Sequence, residues 1–288
     1  MHLGLCDAFS AVYPKFEWVE RAIQKLGHTT VRVRSERDLS ETIACDLVLF
    51  SQNYTVPPTL VGPPKVIWVF DLIGHGIGDI LRYYTPWQDF DAVFCKNPQD
   101  IPDNHPHAYW LDQACPDWPR VEYERKYDCI LPGRPRKSRI ELVKAIRGAG
   151  IEVAVAGYGW KSVLATGTFA EMPAPNYLGN CLTDGAMQKL FGSAKVIVGD
   201  NYAELPNYWS DRCWLANAAG TPYEDAGWFR YSSGLATITD EIKFIVSHWE
   251  QFHEEALETA AQNRYEHRVA ELLEKVAALD LVGCGNPG

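Results

Sequence analysis

The chain has 288 residues, a formal net charge of −10, 47% apolar residues and ten tryptophans. That length suits two domains of ordinary size, and the apolar share excludes a disordered chain. The opening MHLGLCDAFS lacks the basic-then-apolar pattern of a signal peptide, and no apolar run approaches the ~20 residues of a membrane span. The eight cysteines stand singly with no C-x-x-C pair, which fits neither a zinc site nor a disulfide framework. Reduced thiols, a cytoplasmic location and no membrane span are the expectations.

In chain order, HLGLC is a short apolar run that predicts a first strand. Residues 15–26 place Phe16, Val19, Ala22, Ile23 and Leu26 at helical spacing, and Gly27 follows as a stop. TTVRVR alternates, while CDLVLFS, PKVIWVF and FDAVFCKN read as buried strands. Residues 97–128 hold five prolines and no clear period, the texture of a linker. Alternation then restarts with strand YDCILPG, helix SRIELVKAIRGAG, strand IEVAVAG, helix TDGAMQKLFGSA and strand KVIVGD. The predicted class is α/β, with two Rossmann-like domains facing a central cleft, residues 1–120 and 121–288. A terminal helix over about 255–279 is expected to pack back on the N-terminal domain. Phe252, Ala256, Leu257, Ala260 and Ala261 give it an apolar stripe.

An acidic chain places Arg134, Arg136, Lys137 and Arg139 in one short loop, between a strand ending at Pro132-Gly133 and a helix starting near Ser138. Across 120–147 nine Lys/Arg face four Asp/Glu, a local charge of +5 that leaves −15 on the remainder. A solvated surface loop is one reading. The other is an anion site, in which arginine side chains and the free amides of a helix N-terminus hold a phosphate or diphosphate.

Familiar motifs are absent. GRPRKS is no P-loop, because Arg136 rather than glycine precedes Lys137. GYGWKS from Gly157 lacks the third glycine of a dinucleotide fingerprint. Asp89-Phe90-Asp91 imitates a D-x-D metal motif but precedes a strand instead of following one. His105 and His107 flank Pro106 in a polar loop and read as surface residues.

The stretch APNYLGNCLTDGAMQKLFGSAKVIVGDNY, followed by YWSDRCWLANAAGTP, resembles the donor-binding half of GT-B glycosyltransferases. It is most similar to the group-1-like enzymes found in spore-maturation and phage gene neighbourhoods. Asn201, Tyr208-Trp209-Ser210-Asp211-Arg212 and Gly220 carry the likeness, and NRYEHRVAELLEKV matches the family's terminal helix through Tyr265, Arg268, Leu272 and Leu273. The likeness covers about residues 127–276; residues 1–120 match only in layout. In many relatives a glutamate that holds the donor ribose stands three residues after the arginine, where this chain has Leu215.

The resemblance implies transfer of a sugar from a nucleotide-sugar donor, UDP-linked by expectation, to an acceptor hydroxyl, with no cofactor and no bound metal. Residues 121–288 would bind the donor. Gly133, Arg134, Arg136, Lys137, Arg139 and Arg212 are the candidates for the diphosphate, Tyr158 and Trp160 for base stacking or, equally, for core or interface packing, and Asp200, Asn201, Ser210 and Asp211 for polar contacts. Ser210 and Asp211 equally suit the capping of the helix that follows. Residues 1–120 would bind the acceptor, with Asp71, His75 and Asp7 as candidate general bases of an inverting enzyme; each equally suits a turn, and a retaining enzyme needs none of them as base. A base of a hydroxymethylated phage DNA, a glycan, a protein or a small molecule all remain open as acceptor. The alternatives are a non-catalytic nucleotide-binding protein and a sugar-nucleotide epimerase on the same scaffold. Arg139→Ala is expected to weaken donor binding with little change in stability.

Overall fold

The computed structural model describes residues 1–6, 15–33, 41–51, 62–70, 87–180, 183–200, 210–225, 234–279 and 281. The helices among them are α1 (Lys15–Lys25), α2 (Lys137–Gly148), α3 (Trp160–Ala165), α4 (Asp184–Gly192), α5 (Asp211–Ala218), α6 (Gly234–Ser247), α7 (Trp249–Gln262) and α8 (Tyr265–Ala277). None of these helices is long and apolar enough to cross a membrane. The chain divides into two units, Met1–Ala114 with Arg264–Gly288, and Cys115–Asn263.

The first unit is built on a parallel sheet of β1 (His2–Cys6), β2 (Thr29–Val33), β3 (Leu47–Ser51), β4 (Lys65–Val69), β5 (Ala92–Cys95) and β6 (Ala108–Trp110), in the order β2-β1-β3-β4-β5-β6. Register is unambiguous: Leu3 lies opposite both Thr30 and Leu47, and Val66 opposite both Leu49 and Ala92. The central strands are buried along almost their whole length, as the continuous apolar runs of a sheet covered on both faces require. Helix α1 stops where Gly27 takes φ 83°, a left-handed conformation that only glycine adopts without strain. Its apolar face meets α8: the Trp18 and Tyr265 rings pack at a tilt with centroids 5.9 Å apart, and Trp68 and Phe70 extend the cluster. Lys25 pairs with Glu266 at 2.8 Å on its rim.

The segment 97–128, which reads as a linker, contributes the edge strand β6, paired to β5 through Phe94 and Tyr109. Three residues between prolines are too few for a period to show. The single helix expected over 255–279 is two helices. The break falls at Asn263, whose φ −125° and ψ 48° leave the helical region, and which joins α7 in the second unit to α8 in the first.

The second unit carries a parallel sheet of β7 (Tyr127–Pro132), β8 (Val153–Ala156), β9 (Asn176–Tyr177), β10 (Ala194–Gly199) and β11 (Tyr223–Asp225), in the order β11-β10-β7-β8-β9. Helices α2 and α6 pack against β7, β8 and β10, while α4 and α5 pack against β10 and β11. Leu142, Val143, Ile146, Val153, Val155, Trp160, Val196, Ile238 and Ile242 form a core without measurable exposure. The order of the strands reverses between β7 and β10. There the chain leaves the two neighbouring strands in opposite directions and opens a crevice beyond their carboxyl ends, where ligands of doubly wound sheets bind. What stands at that point decides the site.

Candidate functional site

The carboxyl ends of β7 and β10 bring Pro132-Gly133 beside Gly199-Asp200. Gly133 turns at φ 112°, a value closed to other residues without strain. It also lacks room for a side chain: a Cβ there would lie 2.6 Å from Arg139 Nη1 and 3.3 Å from Arg212 Nη2. Two guanidinium groups, from α2 and α5, thus converge on one backbone turn.

Arg139 is not the surface cation its charge suggests. It is 3% exposed, and its Nη1 donates to the Arg134 carbonyl at 2.7 Å. Nη2 donates to the Asp200 carbonyl at 3.4 Å, and Nε stands 3.8 Å from Asp200 Oδ2 without a hydrogen bond of its own. Burial, then the like charge of Arg212, lowers its proton affinity from 12.5 to about 10, while Asp200 acts the other way. It stays charged at any working pH. The expectation that its removal hardly touches stability is therefore overturned, because a buried, bonded cation is structural as well as electrostatic.

Asp200, 6% exposed, accepts from Ser138 Oγ at 2.8 Å and faces Arg139. It ties the first turn of α2 to the end of β10. Arg136 occupies the cap position of α2 without a side-chain cap bond, so the amides of the first turn lack the usual competitor for an anion. Arg134, Arg136 and Lys137 are exposed at this end. The four cations of the loop therefore divide: Arg139 shapes the turn, and the other three lie on the solvent side.

Of the two aromatic candidates, Trp160 is buried in the core and its Nε1 donates to the Gly133 carbonyl at 2.7 Å. It cannot stack on a base; it holds the turn. Tyr158 is 70% exposed, with the Arg134 guanidinium 5.6 Å above its ring.

Ser210 caps α5, its Oγ accepting from Arg212 N at 3.2 Å and from Arg212 Nη1 at 3.4 Å. Capping is what places Arg212 at the turn. Asp211 is the first residue of that helix and is half-buried. Leu215 is 1% exposed, a core residue with no part at the ligand edge. Asp7, Asp71, His75 and Asn201 lie outside the described residues.

Two pairs set aside from sequence also find places. Asp91 Oδ2 accepts from Lys65 N at 2.8 Å, fixing the start of β4. His105 Nε2 lies 2.9 Å from the Phe90 carbonyl, and its Nδ1 accepts from His107 N at 3.1 Å. These are loop ties.

Sequence reading missed Ser138, Gly199 and Tyr223. Tyr223 belongs to β11, a three-residue edge strand in TPYEDAG that shows no apolar run. Gly199 carried one signal, a glycine ending a strand just before Asp200.

No known sequence family matches the chain, and no curated protein sequence does. Solved structures do match. AviGT4, a glycosyltransferase of avilamycin A biosynthesis, aligns over 99% of both chains with a TM-score of 0.64 at 11% identity. The DNA-modifying β-glucosyltransferase, solved with and without uridine diphosphoglucose, aligns over 96% of this chain and all of that one, TM-score 0.58 at 10% identity. TarM of S. aureus, in a complex containing UDP, has a TM-score of 0.58 at 12% identity over 84% of this chain and 57% of its own. Such identities speak for architecture alone. Two parallel sheets with their helices, matched end to end, give this chain the fold of the GT-B glycosyltransferases.

Proposed function

We propose that the chain is a nucleotide-sugar-dependent glycosyltransferase whose donor diphosphate binds at the Gly133 turn. The observation that carries this reading is the convergence of Arg139 and Arg212 on a glycine with no space for a side chain, at the strand-order reversal of the second unit. Cations placed at such a turn, beside a helix N-terminus, stabilise the charge that develops on a leaving nucleoside diphosphate. They do so without a metal, because Arg212, the α2 amides, Arg136 and Lys137 supply the neutralisation. Arg139 acts chiefly from beneath, by shaping the turn. Tyr158, exposed beside Arg134, is the platform for the base.

The donor is UDP-linked in this reading, supported by the UDP-containing structures of similar fold. The acceptor is a hydroxyl, deprotonated by Asp71, His75 or Asp7. A hydroxymethylated base of phage DNA is the first acceptor to test, given the likeness to a DNA-modifying glucosyltransferase and the basic segment 120–147. The six described free cysteines, all buried, suit a reducing cytoplasm.

The test is incubation with UDP-, dTDP-, GDP- and ADP-sugars in the presence of a chelator, with and without hydroxymethylated DNA, followed by mass analysis. Release of nucleoside diphosphate with a glycosylated product is the expected result. Binding without release would make the chain a non-catalytic nucleotide-binding protein, and isomerised donor without acceptor an epimerase. Activity that disappears with chelator and returns with Mn²⁺ would overturn the metal-independent part.

A further inference from the structure

We propose that Tyr223 is a positioning residue of this site: through Ser210, its hydroxyl fixes the guanidinium of Arg212 beside Gly133. The inference rests on the reading that the Gly133 turn receives a nucleoside diphosphate.

Tyr223 opens β11, in parallel register with Ile197 of β10. Its ring reaches over Gly199, where a Cβ would fall 1.7 Å from the phenol oxygen and 2.3 Å from Cζ. Any side chain at 199 would expel the phenol, so glycine at the end of β10 is a requirement of this tyrosine. In the space left, the phenol oxygen lies 3.3 Å from Ser210 Oγ.

The hydrogen-bond capacity of Ser210 then orders the network. A serine hydroxyl offers one proton and two lone pairs. Both lone pairs are taken by Arg212, through its backbone N–H at 3.2 Å and Nη1 at 3.4 Å. The Ser210 proton is left to point at Tyr223, whose oxygen accepts it. Ser210 is 2% exposed, so water does not replace that acceptor readily, and a buried hydroxyl without one is penalised. Burial and the neighbouring Asp225 push the Tyr223 phenol far above its ordinary range. It remains neutral and acts by geometry, not by proton transfer.

Such a tether matters for Arg212. It stands beside Arg139 at the same turn, and the two like charges oppose one another, as the lowered proton affinity of Arg139 registers. Before an anion arrives, that repulsion works against the placement of both guanidinium groups, and each contact that holds them at the turn lowers the cost of binding. Arg139 is held by Asp200 and the Arg134 carbonyl; Ser210 and Tyr223 hold Arg212. Pre-ordering both cations lowers that cost.

Titration calorimetry with UDP on wild type, Tyr223→Phe, Arg212→Ala and the double variant tests the idea, with melting temperature measured on each. Tyr223→Phe keeps the ring over Gly199 and removes only the oxygen. UDP affinity should fall about 3- to 10-fold in wild-type background and change less than about 2-fold when Arg212 is already alanine. A general packing role would weaken binding equally in both backgrounds, and that additivity would overturn the proposal. So would unchanged affinity in Tyr223→Phe while Arg212→Ala weakens binding; the site reading would then stand alone. If wild type binds none of UDP, dTDP, GDP and ADP, the site reading falls and this inference with it. Should Tyr223→Phe fail to fold, Ser210→Gly, which retains most of the capping preference, carries the same cycle.

Discussion

Trp160 Nε1 donates to the carbonyl oxygen of Gly133 across 2.7 Å, from a side chain with no exposure. This bond joins the loop after β8 to the loop after β7, and it clamps the turn on which Arg139 and Arg212 converge. The two loops are in close contact elsewhere too, since a Cβ on Gly157 would lie 2.7 Å from the same Gly133 oxygen.

Trp160→Phe should therefore do two things at once. Loss of the indole donor and of part of a filled core volume is expected to lower stability by about 2–3 kcal/mol. The loosened turn should also weaken UDP binding several-fold. Urea unfolding and calorimetric titration on the same preparations read both effects. A stability loss with affinity untouched would mean that the clamp supports the core and not the site.

Arg139→Ala is predicted to be costly to the fold, about 2–4 kcal/mol, because it removes a buried cation bonded to the Arg134 and Asp200 carbonyls. Arg136→Ala, at an exposed position, should change stability by no more than about 0.5 kcal/mol yet still weaken UDP binding. Denaturation curves on the pair decide the division of labour within the loop. Equal and small effects on stability would return Arg139 to the class of surface cations.

Apart from the short edge strands β6, β9 and β11, the strands of both sheets were legible, because burial on two faces demands uninterrupted apolar runs, as in Leu47–Phe50 and Val196–Val198. The position of the basic loop was legible too, since the glycine-strand-helix punctuation around Pro132-Gly133 is local. What sequence could not show was direction. Arg139 and Arg136 look alike in GRPRKSR, and only the packing of α2 against β8 and α6 buries one and exposes the other. Trp160 suited a stacking platform and core packing equally, because an aromatic after a glycine turn is ambiguous until the core is assembled. Tyr223 was hidden for a similar reason: its partner Ser210 and its steric requirement at Gly199 come from other parts of the chain.

At the start of β7 a second arginine acts purely as a brace. Arg125 Nη1 donates to the Ala194 carbonyl at 2.8 Å and to Thr221 Oγ1, and Nη2 donates to the Gly220 carbonyl at 2.9 Å and reaches His253 Nδ1 at 3.1 Å. Its guanidinium also lies 5.4 Å from the Trp249 ring. Burial lowers its proton affinity to about 10, so it remains charged at the negative end of α5. Arg125→Met keeps the volume and loses the fork, and should destabilise by about 2–4 kcal/mol. UDP affinity measured well below the melting point should be unchanged, since these contacts lie at the opposite end of the sheet from Gly133. A drop in affinity at equal foldedness would contradict that separation.

Glu224, on β11, gives the fold a pH dependence of defined sign. Burial, then Glu241 of α6 and Asp225 beside it, raises its carboxyl from 4.5 to about 7, and a hydrogen bond to Glu241 adds to the shift. Between those two values the folded chain holds a proton that the unfolded chain has released. Stability from this group is thus fully present below the unfolded value and declines as pH rises toward about 7, with no further change above it. Discounted for partial exposure, the loss amounts to about 1–3 kcal/mol. Glu224→Gln mimics the protonated form and should abolish that decline, making the variant more stable than wild type at pH 8 but nearly equal at pH 5. Urea unfolding of both proteins at the two pH values is the measurement. Parallel pH profiles for wild type and variant would show that Glu224 ionises without strain and that the proton is not shared with Glu241.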